Sequence, residues 1–165
     1  VDNSNISKGL VYYHFDEKNN IFIKLVDEVI EKLISEATTE KETPKEELHR
    51  FITSLLPENM NEKQHRNLLI LFEVRMNAPH DYGVKQQYVK FERSLKLNLK
   101  NILKRGKNSG GFKEINVNEE SEIILSLLIG AQARQLSIQN QQKTEEGMQD
   151  AVLMYIENLS NRSMI

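Results

Sequence analysis

Cysteine and tryptophan are absent from this 165-residue chain, which also contains only 3 prolines and 7 glycines. Without cysteine the chain cannot form a disulfide, a thiolate nucleophile or a cysteine-based metal site. No apolar run approaches the roughly 18–20 residues that span a bilayer, and no signal peptide is visible. These absences argue against a membrane protein and are typical of the cytoplasm.

Catalytic and metal-binding patterns are missing as well. The histidines, His14, His49, His65 and His80, lie too far apart in sequence to form a local metal motif. The chain has no glycine-rich phosphate loop, no HExxH motif and no arrangement typical of a serine hydrolase. The sequence therefore predicts a protein that is not an enzyme and that needs no cofactor or metal.

The charge balance limits how the chain binds nucleic acid. The formal net charge is −2, and 28% of the residues are charged. This argues against a surface that binds nucleic acid along its whole length, but it allows a small basic reading element on a mildly acidic body.

The hydrophobic pattern predicts an all-α fold. Apolar residues recur at i, i+4 and i+8, for example between residues 21 and 34, and no sustained alternation suggests a strand. Short loops favour antiparallel neighbours. Seven helices are predicted, at about residues 7–14, 17–37, 44–56, 62–78, 81–105, 119–138 and 144–159.

Local signals place the helix ends. Thr43-Pro44-Lys45-Glu46 and Asn61-Glu62-Lys63-Gln64 are capping boxes, in which the first and last residues exchange hydrogen bonds. The segment GKNSGG is expected to end the long helix near Arg105, while Asn118 and Thr144 are expected to cap the last two helices.

The segment ISKGLVYYHFDEKNNIF, residues 6–22, concentrates donors and aromatic side chains at the start of the chain. In a helix that reads DNA, Lys8 would reach a guanine or a phosphate, and Gly9 would let the backbone lie close to the bases. Lys18 falls in the first turn of the next helix, whose N-terminal amides favour a phosphate. The alternative is a helix whose aromatic residues pack on the core.

The longer segment ISKGLVYYHFDEKNNIFIKLV resembles the recognition helix and the start of the following helix in the tetracycline-repressor (TetR) family of bacterial transcriptional regulators. Val11 and Ile21 replace leucines of the family pattern conservatively. The positions that match in register are Ile6, Ser7, Gly9, Tyr12, His14, Phe15 and Lys18.

This resemblance implies a dimeric repressor with a helix-turn-helix in residues 1–20 and a ligand-binding and dimerisation domain in residues 21–165. The recognition helix, at about residues 7–14, would bind a palindromic operator, and a small inducer would bind in the body. The DNA-contacting residues that the resemblance implies are Ser7, Lys8, Gly9, Tyr12, Tyr13, His14 and Lys18.

The sequence also departs from the family pattern. Two helices that precede the motif in the family are missing, so the chain, which starts at Val1, is expected to be truncated or partly ordered. Such a fragment is expected to bind DNA weakly or not at all. Asp16 and Glu17 stand where the family often has neutral or basic residues, which weakens phosphate contact slightly.

The resemblance places the inducer among the third to sixth predicted helices. Candidate residues of this ligand site are Phe51, Leu55, Phe72, Arg75, Met76, Tyr88, Phe91, Glu92, Leu95 and Gln132. Simple core packing is the alternative for each apolar member. The polar members are better hints, because a buried charge needs a partner. Glu92 would pair either with a cationic ligand or with Lys96 one turn along the helix.

The last two predicted helices are wide and apolar, and small residues in LLIGAQA allow close approach of another helix. They are either core or half of an intermolecular four-helix bundle. The resemblance favours the dimer, and an intersubunit ion pair is expected for Arg134. Candidate interface residues are Ile123, Leu127, Gly130, Ala131, Arg134, Ala151 and Tyr155.

The function predicted overall is a ligand-responsive transcriptional regulator, acting as a repressor on operator DNA and released by a small inducer. A helical dimeric interaction module that does not read DNA is the alternative, and the missing helices are what favours it.

Overall fold

A computed structural model of the chain describes residues 43–113, 115–138 and 147–161, together with residues 24, 27, 28, 31, 32 and 35. All regular structure in these residues is α-helix, which confirms the predicted fold class. The helix predicted at 7–14 lies outside the described residues, whereas the six described residues of the predicted helix 17–37 are all helical. Five helices follow: α1 Pro44–Leu55, α2 Glu62–Asn77, α3 Tyr82–Asn108, α4 Val117–Ile138 and α5 Met148–Asn161.

Both predicted capping boxes are confirmed. At the start of α1, the Thr43 hydroxyl accepts a hydrogen bond from the Glu46 amide at 3.3 Å, and the Glu46 carboxylate accepts one from the Thr43 amide at 2.9 Å. Asn61 and Gln64 make the same exchange at 2.9 and 3.0 Å before α2. Each cap satisfies amide groups that a helix leaves unpaired and is worth about 1 kcal/mol.

Three predicted boundaries are wrong. Helix α3 continues past Arg105 to Asn108, through a buried glycine. Helix α4 begins before the predicted cap Asn118, because the Asn116 side chain accepts a hydrogen bond from the Asn118 amide at 3.1 Å. Helix α5 begins at Met148 rather than 144, because Gly147 has φ +127°, which a right-handed helix cannot contain. Thr144, its predicted cap, lies outside the described residues.

Helix α1 packs on α3 and α5, α4 packs on both α3 and α5, and α2 packs on α3 and α4. One face of α1 is completely buried and carries Leu48, Phe51 and Ile52. They meet Phe91 and Leu99 of α3 in one continuous core. Burying side chains of this size stabilises the fold by about 1.5–3 kcal/mol each before entropy is counted.

None of the helices in the described part of the chain combines the length and apolarity that a bilayer crossing requires. The same residues contain no group of three or more histidine, aspartate or glutamate side chains suited to a metal ion.

Candidate functional site

Two cavities among the described residues share two lining residues, Leu55 and Gln132. The larger has a volume of about 140 Å³ and opens to solvent between α1, α2 and α4. Leu68 and Leu71 are among its apolar walls, but most of its lining is polar. The smaller has a volume of about 20 Å³ and lies between α1, α2, α3 and α4, against the ring of Phe91. Gln132 therefore lies at both cavities.

Three glutamine side chains hold the C-terminal end of α1, and we call them the glutamine clamp: Gln132, Gln135 and Gln149. Their amide nitrogens donate to three successive backbone carbonyls, those of Leu55, Pro57 and Leu56 respectively, each at 2.7 Å. The last carbonyls of a helix have no partner within the helix, so these bonds satisfy groups that would otherwise be unpaired. The clamp ties the end of α1, beside the cavities, to α4 and α5.

The clamp leaves one acceptor without a donor beside the cavities. A backbone carbonyl only accepts, so the Gln132 amide nitrogen must face Leu55 and its oxygen must point away. Gln132 is only 3% exposed, and its Oε1 atom has no hydrogen-bond partner among the described residues. Oε1 of Gln135, which lines neither cavity, also lacks a partner there. An unpaired acceptor at this depth costs about 1–3 kcal/mol, which a suitable donor would recover.

A half-buried arginine, Arg75, also lines the smaller cavity. Arg75 lies beside the Tyr88 hydroxyl, which donates to the Glu92 carboxylate at 2.8 Å. Arg75 forms no ion pair with a carboxylate of the described residues, and its Nε atom has no partner. Burial lowers the pKa of Arg75, and burial followed by the bond to Glu92 raises the pKa of Tyr88. The charge on Arg75 is therefore only partly balanced.

The predicted alternative for Glu92, an ion pair with Lys96, is wrong. Lys96 pairs with Glu122 of α4, while Glu92 accepts the Tyr88 hydroxyl. Tyr88 and Lys96 each lie one turn from Glu92 on the same helix, so sequence spacing alone does not show which of them contacts Glu92.

A groove of about 610 Å³ runs between α4 and α5 on the outside of the bundle. Six of the seven predicted interface residues line it, and they are Leu127, Gly130, Ala131, Arg134, Ala151 and Tyr155. Ile123 lies one turn before Leu127 on the same face, and the two are 41% and 38% exposed. The Tyr155 hydroxyl donates within the chain, to Glu120 at 2.7 Å.

The structure brings together most of the predicted ligand residues. The smaller cavity is lined by six of them: Leu55, Arg75, Phe91, Glu92, Leu95 and Gln132. Tyr88 joins them through Glu92, and Phe51 is completely buried in the core. Phe72 and Met76 line neither cavity and are 36% and 59% exposed, because α2 turns its other stripe, which includes Leu71, toward the core.

Several cavity residues were not predicted from the sequence. Leu125, Leu128 and Ile129 of α4 line the smaller cavity, and Ser54 and Met60 line the larger. Gln149 completes the clamp. A polar amide on an apolar helix face is the one sequence signal for such residues, and it does not say which carbonyl the amide reaches. The seven predicted DNA-contacting residues, 7–9, 12–14 and 18, lie outside the described residues.

Solved structures with the same fold are regulators of transcription. A TetR transcription regulator from Haloarcula marismortui ATCC 43049 matches with a TM-score of 0.73 at 17% identity, over 94% of this chain and 83% of that chain. A TetR-family transcriptional regulator from Rhodococcus sp. matches with a TM-score of 0.72 at 14% identity, over 92% and 80%. A transcriptional regulator from Saccharomonospora viridis in complex with choline matches with a TM-score of 0.66 at 16% identity, over 94% and 79%.

No family model and no curated protein matches the chain. At identities below one fifth, the likeness to these structures establishes the fold: this chain has the all-α fold of TetR-family regulators.

Proposed function

We propose that this chain, which has the fold of TetR-family regulators, is a ligand-responsive transcriptional regulator that acts as a repressor. It binds a palindromic operator as a homodimer and releases it when a small molecule occupies the body. The observation that carries the proposal is the coincidence of two independent features. Residues 6–22 resemble the family's recognition pattern in register, and the described helices have the family's fold.

Dimerisation is supported by the outer face of α4 and α5. Ile123 and Leu127 expose branched apolar side chains there, and Met154 on α5 is 63% exposed. Gly130 has no heavy atom within 4 Å of the position where a Cβ would be, so a second helix can approach it closely. A second copy of the chain, bringing the same face, would cover these side chains in a four-helix bundle with two-fold symmetry.

Ligand response is supported by the cavities and by the glutamine clamp. A ligand shifts a two-state protein only by binding one state better than the other. Occupying the cavities pushes against α1 and α2, and the clamp connects α1 to the dimer helices α4 and α5. Expansion of the body would then change the distance between the DNA-reading segments of the two subunits. These segments must match operator half-sites that lie about one helical turn apart.

Replacing Leu127 by glutamate is expected to turn the dimer into a monomer and to weaken operator binding at least tenfold. The substitution would bring two carboxylates into an apolar part of the interface, and burying charge there costs several kcal/mol. Sedimentation velocity measures the association state of the complete protein, and fluorescence anisotropy with the DNA upstream of its gene measures operator affinity.

Leu97→Glu is the matched control, because Leu97 is 59% exposed on α3 and lies away from the α4–α5 groove. This variant should remain dimeric and bind DNA like the unchanged protein. A Leu127→Glu protein that stays dimeric would refute the proposed interface. A folded dimer that binds no DNA would instead support a helical interaction module.

A further inference from the structure

Arg75 and Gln132 both line the smaller cavity, and each carries an enclosed atom without a hydrogen-bond partner among the described residues. The Nε–H group of Arg75 is a charged donor, and Oε1 of Gln132 is an acceptor. Gln132 is nearly completely buried, and the bond of its nitrogen to the Leu55 carbonyl fixes which of its atoms accepts. The remaining walls between the two groups are apolar, including Phe91, Leu95 and Leu128.

The charges around the cavities favour a negative ligand. Among the described lining residues, Arg75 and Lys63 are cationic, and Glu92 is the one carboxylate; Lys32 also lines the larger cavity but makes other interactions. Glu92 already accepts the Tyr88 hydroxyl and faces solvent. A half-buried guanidinium with no ion pair among the described residues is costly, and an anionic ligand would reduce that cost. A cationic ligand would instead be repelled by the positive charge of Arg75.

An anion alone does not satisfy the site. A bare carboxylate has only acceptors, so it would leave the Gln132 oxygen unpaired or repel it. A hydroxyl or an amide N–H on the carbon next to the carboxylate supplies the missing donor. The larger cavity, at about 140 Å³, then limits the rest of the molecule. Its volume, though not its polar rim, is close to that of an engineered apolar cavity of about 150 Å³ that binds benzene.

We propose that the body binds a small organic acid that carries a hydroxyl or amide N–H beside its carboxylate and an apolar group about the size of a benzene ring. The carboxylate binds Arg75, the donor binds Gln132, and the apolar group fills the cavity lined by Leu68 and Leu71. This inference rests on the proposed function, since it names the class of ligand to which the regulator responds.

The same geometry explains how the ligand would act. The smaller cavity holds about one water molecule, so a carboxylate fits only when the helices around it separate. The ligand therefore binds better to an expanded body than to the closed one, and it shifts the population toward the expanded state. The helices that must move are α2, which carries Arg75, and α3, which carries Tyr88 and Glu92.

Isothermal titration of the full chain with three compounds that share a phenyl ring tests the proposal. Phenyllactate has the carboxylate and the hydroxyl, phenylpropionate lacks the hydroxyl, and phenylpropylamine carries a cation. Phenyllactate should bind on the order of tenfold more tightly than phenylpropionate, because only its hydroxyl pairs with Gln132. Phenylpropylamine should show no binding at the same concentrations.

Arg75→Met should abolish phenyllactate binding, whereas Arg66→Met, an exposed arginine on the same helix, should leave it unchanged. Circular dichroism confirms that each variant is folded. Absence of phenyllactate binding, equal binding of the amine, or full binding by folded Arg75→Met each overturns the inference.

Operator binding is measured in parallel, so that the two proposals fail separately. Specific DNA binding without binding of the acid would support the proposed regulator and refute its ligand class. Binding of the acid without specific DNA binding would support the ligand class and refute the regulator.

Discussion

Replacing Arg105 by methionine is expected to lower the free energy of unfolding by about 2–3 kcal/mol, because it leaves a buried carboxylate unpaired. Arg105 of α3 forms an ion pair with Glu47 of α1, whose side chain is only 4% exposed. The Arg105 side chain is 51% exposed, so solvent offsets part of the full cost of a buried pair. Methionine keeps the apolar part of the side chain, and the loss therefore reports on the charge.

The second interhelical ion pair of the described residues provides the control. Lys96 of α3 and Glu122 of α4 are 37% and 59% exposed. Lys96→Met should cost less than about 1 kcal/mol, as is usual for exposed pairs. Equilibrium urea unfolding measures both variants at one fixed protein concentration, since association shifts apparent stability. Equal effects of the two substitutions would show that the burial of Glu47 does not matter.

Replacing Gly106 by alanine is expected to destabilise the chain by about 1–3 kcal/mol, although alanine normally favours a helix interior by up to about 1 kcal/mol. A Cβ at Gly106 would lie 2.1 Å from Cδ2 of Phe112. The Phe112 ring is 1% exposed and fixed in the core, so it has little room to move. The new methyl group must displace the ring or bend α3.

Gly111→Ala tests whether the effect is specific to this contact. A Cβ at Gly111 would meet its nearest heavy atom, the Gly106 carbonyl oxygen, at an ordinary 3.5 Å. This variant should unfold within about 0.5 kcal/mol of the unchanged protein. A Gly106→Ala protein as stable as the Gly111→Ala protein would contradict the close packing of Phe112. The same urea titration measures both.

Gly106 also shows why some boundaries can be predicted from sequence and others cannot. The capping boxes at Thr43 and Asn61 were predicted correctly because both partners lie within one helical turn. The end of α3 was misplaced because Gly106 usually indicates a break. Here the missing side chain instead leaves room for a ring from the loop after α3, and that contact is invisible to a local pattern.

The candidate ligand site also has one part that the sequence predicts and another that it does not. Periodicity and the family resemblance indicated Arg75, Phe91, Leu95 and Gln132, which do line one cavity. Phe72 and Met76 belong to a second apolar stripe of α2, and sequence alone could not say which stripe turns inward. The clamp bond from Gln132 to Leu55 joins residues 77 positions apart, so only the assembled fold reveals it.

Fluorescence anisotropy of the complete gene product on the DNA upstream of its gene tests the central claim, that residues 6–22 read an operator, most directly. Sequence-specific binding should weaken as salt rises, and Lys8→Ala should reduce affinity at least about tenfold. Lys90→Ala, an exposed lysine of the body, should have no effect. Specific binding that Lys8→Ala leaves unchanged, or no specific binding by the folded dimer, would contradict the account.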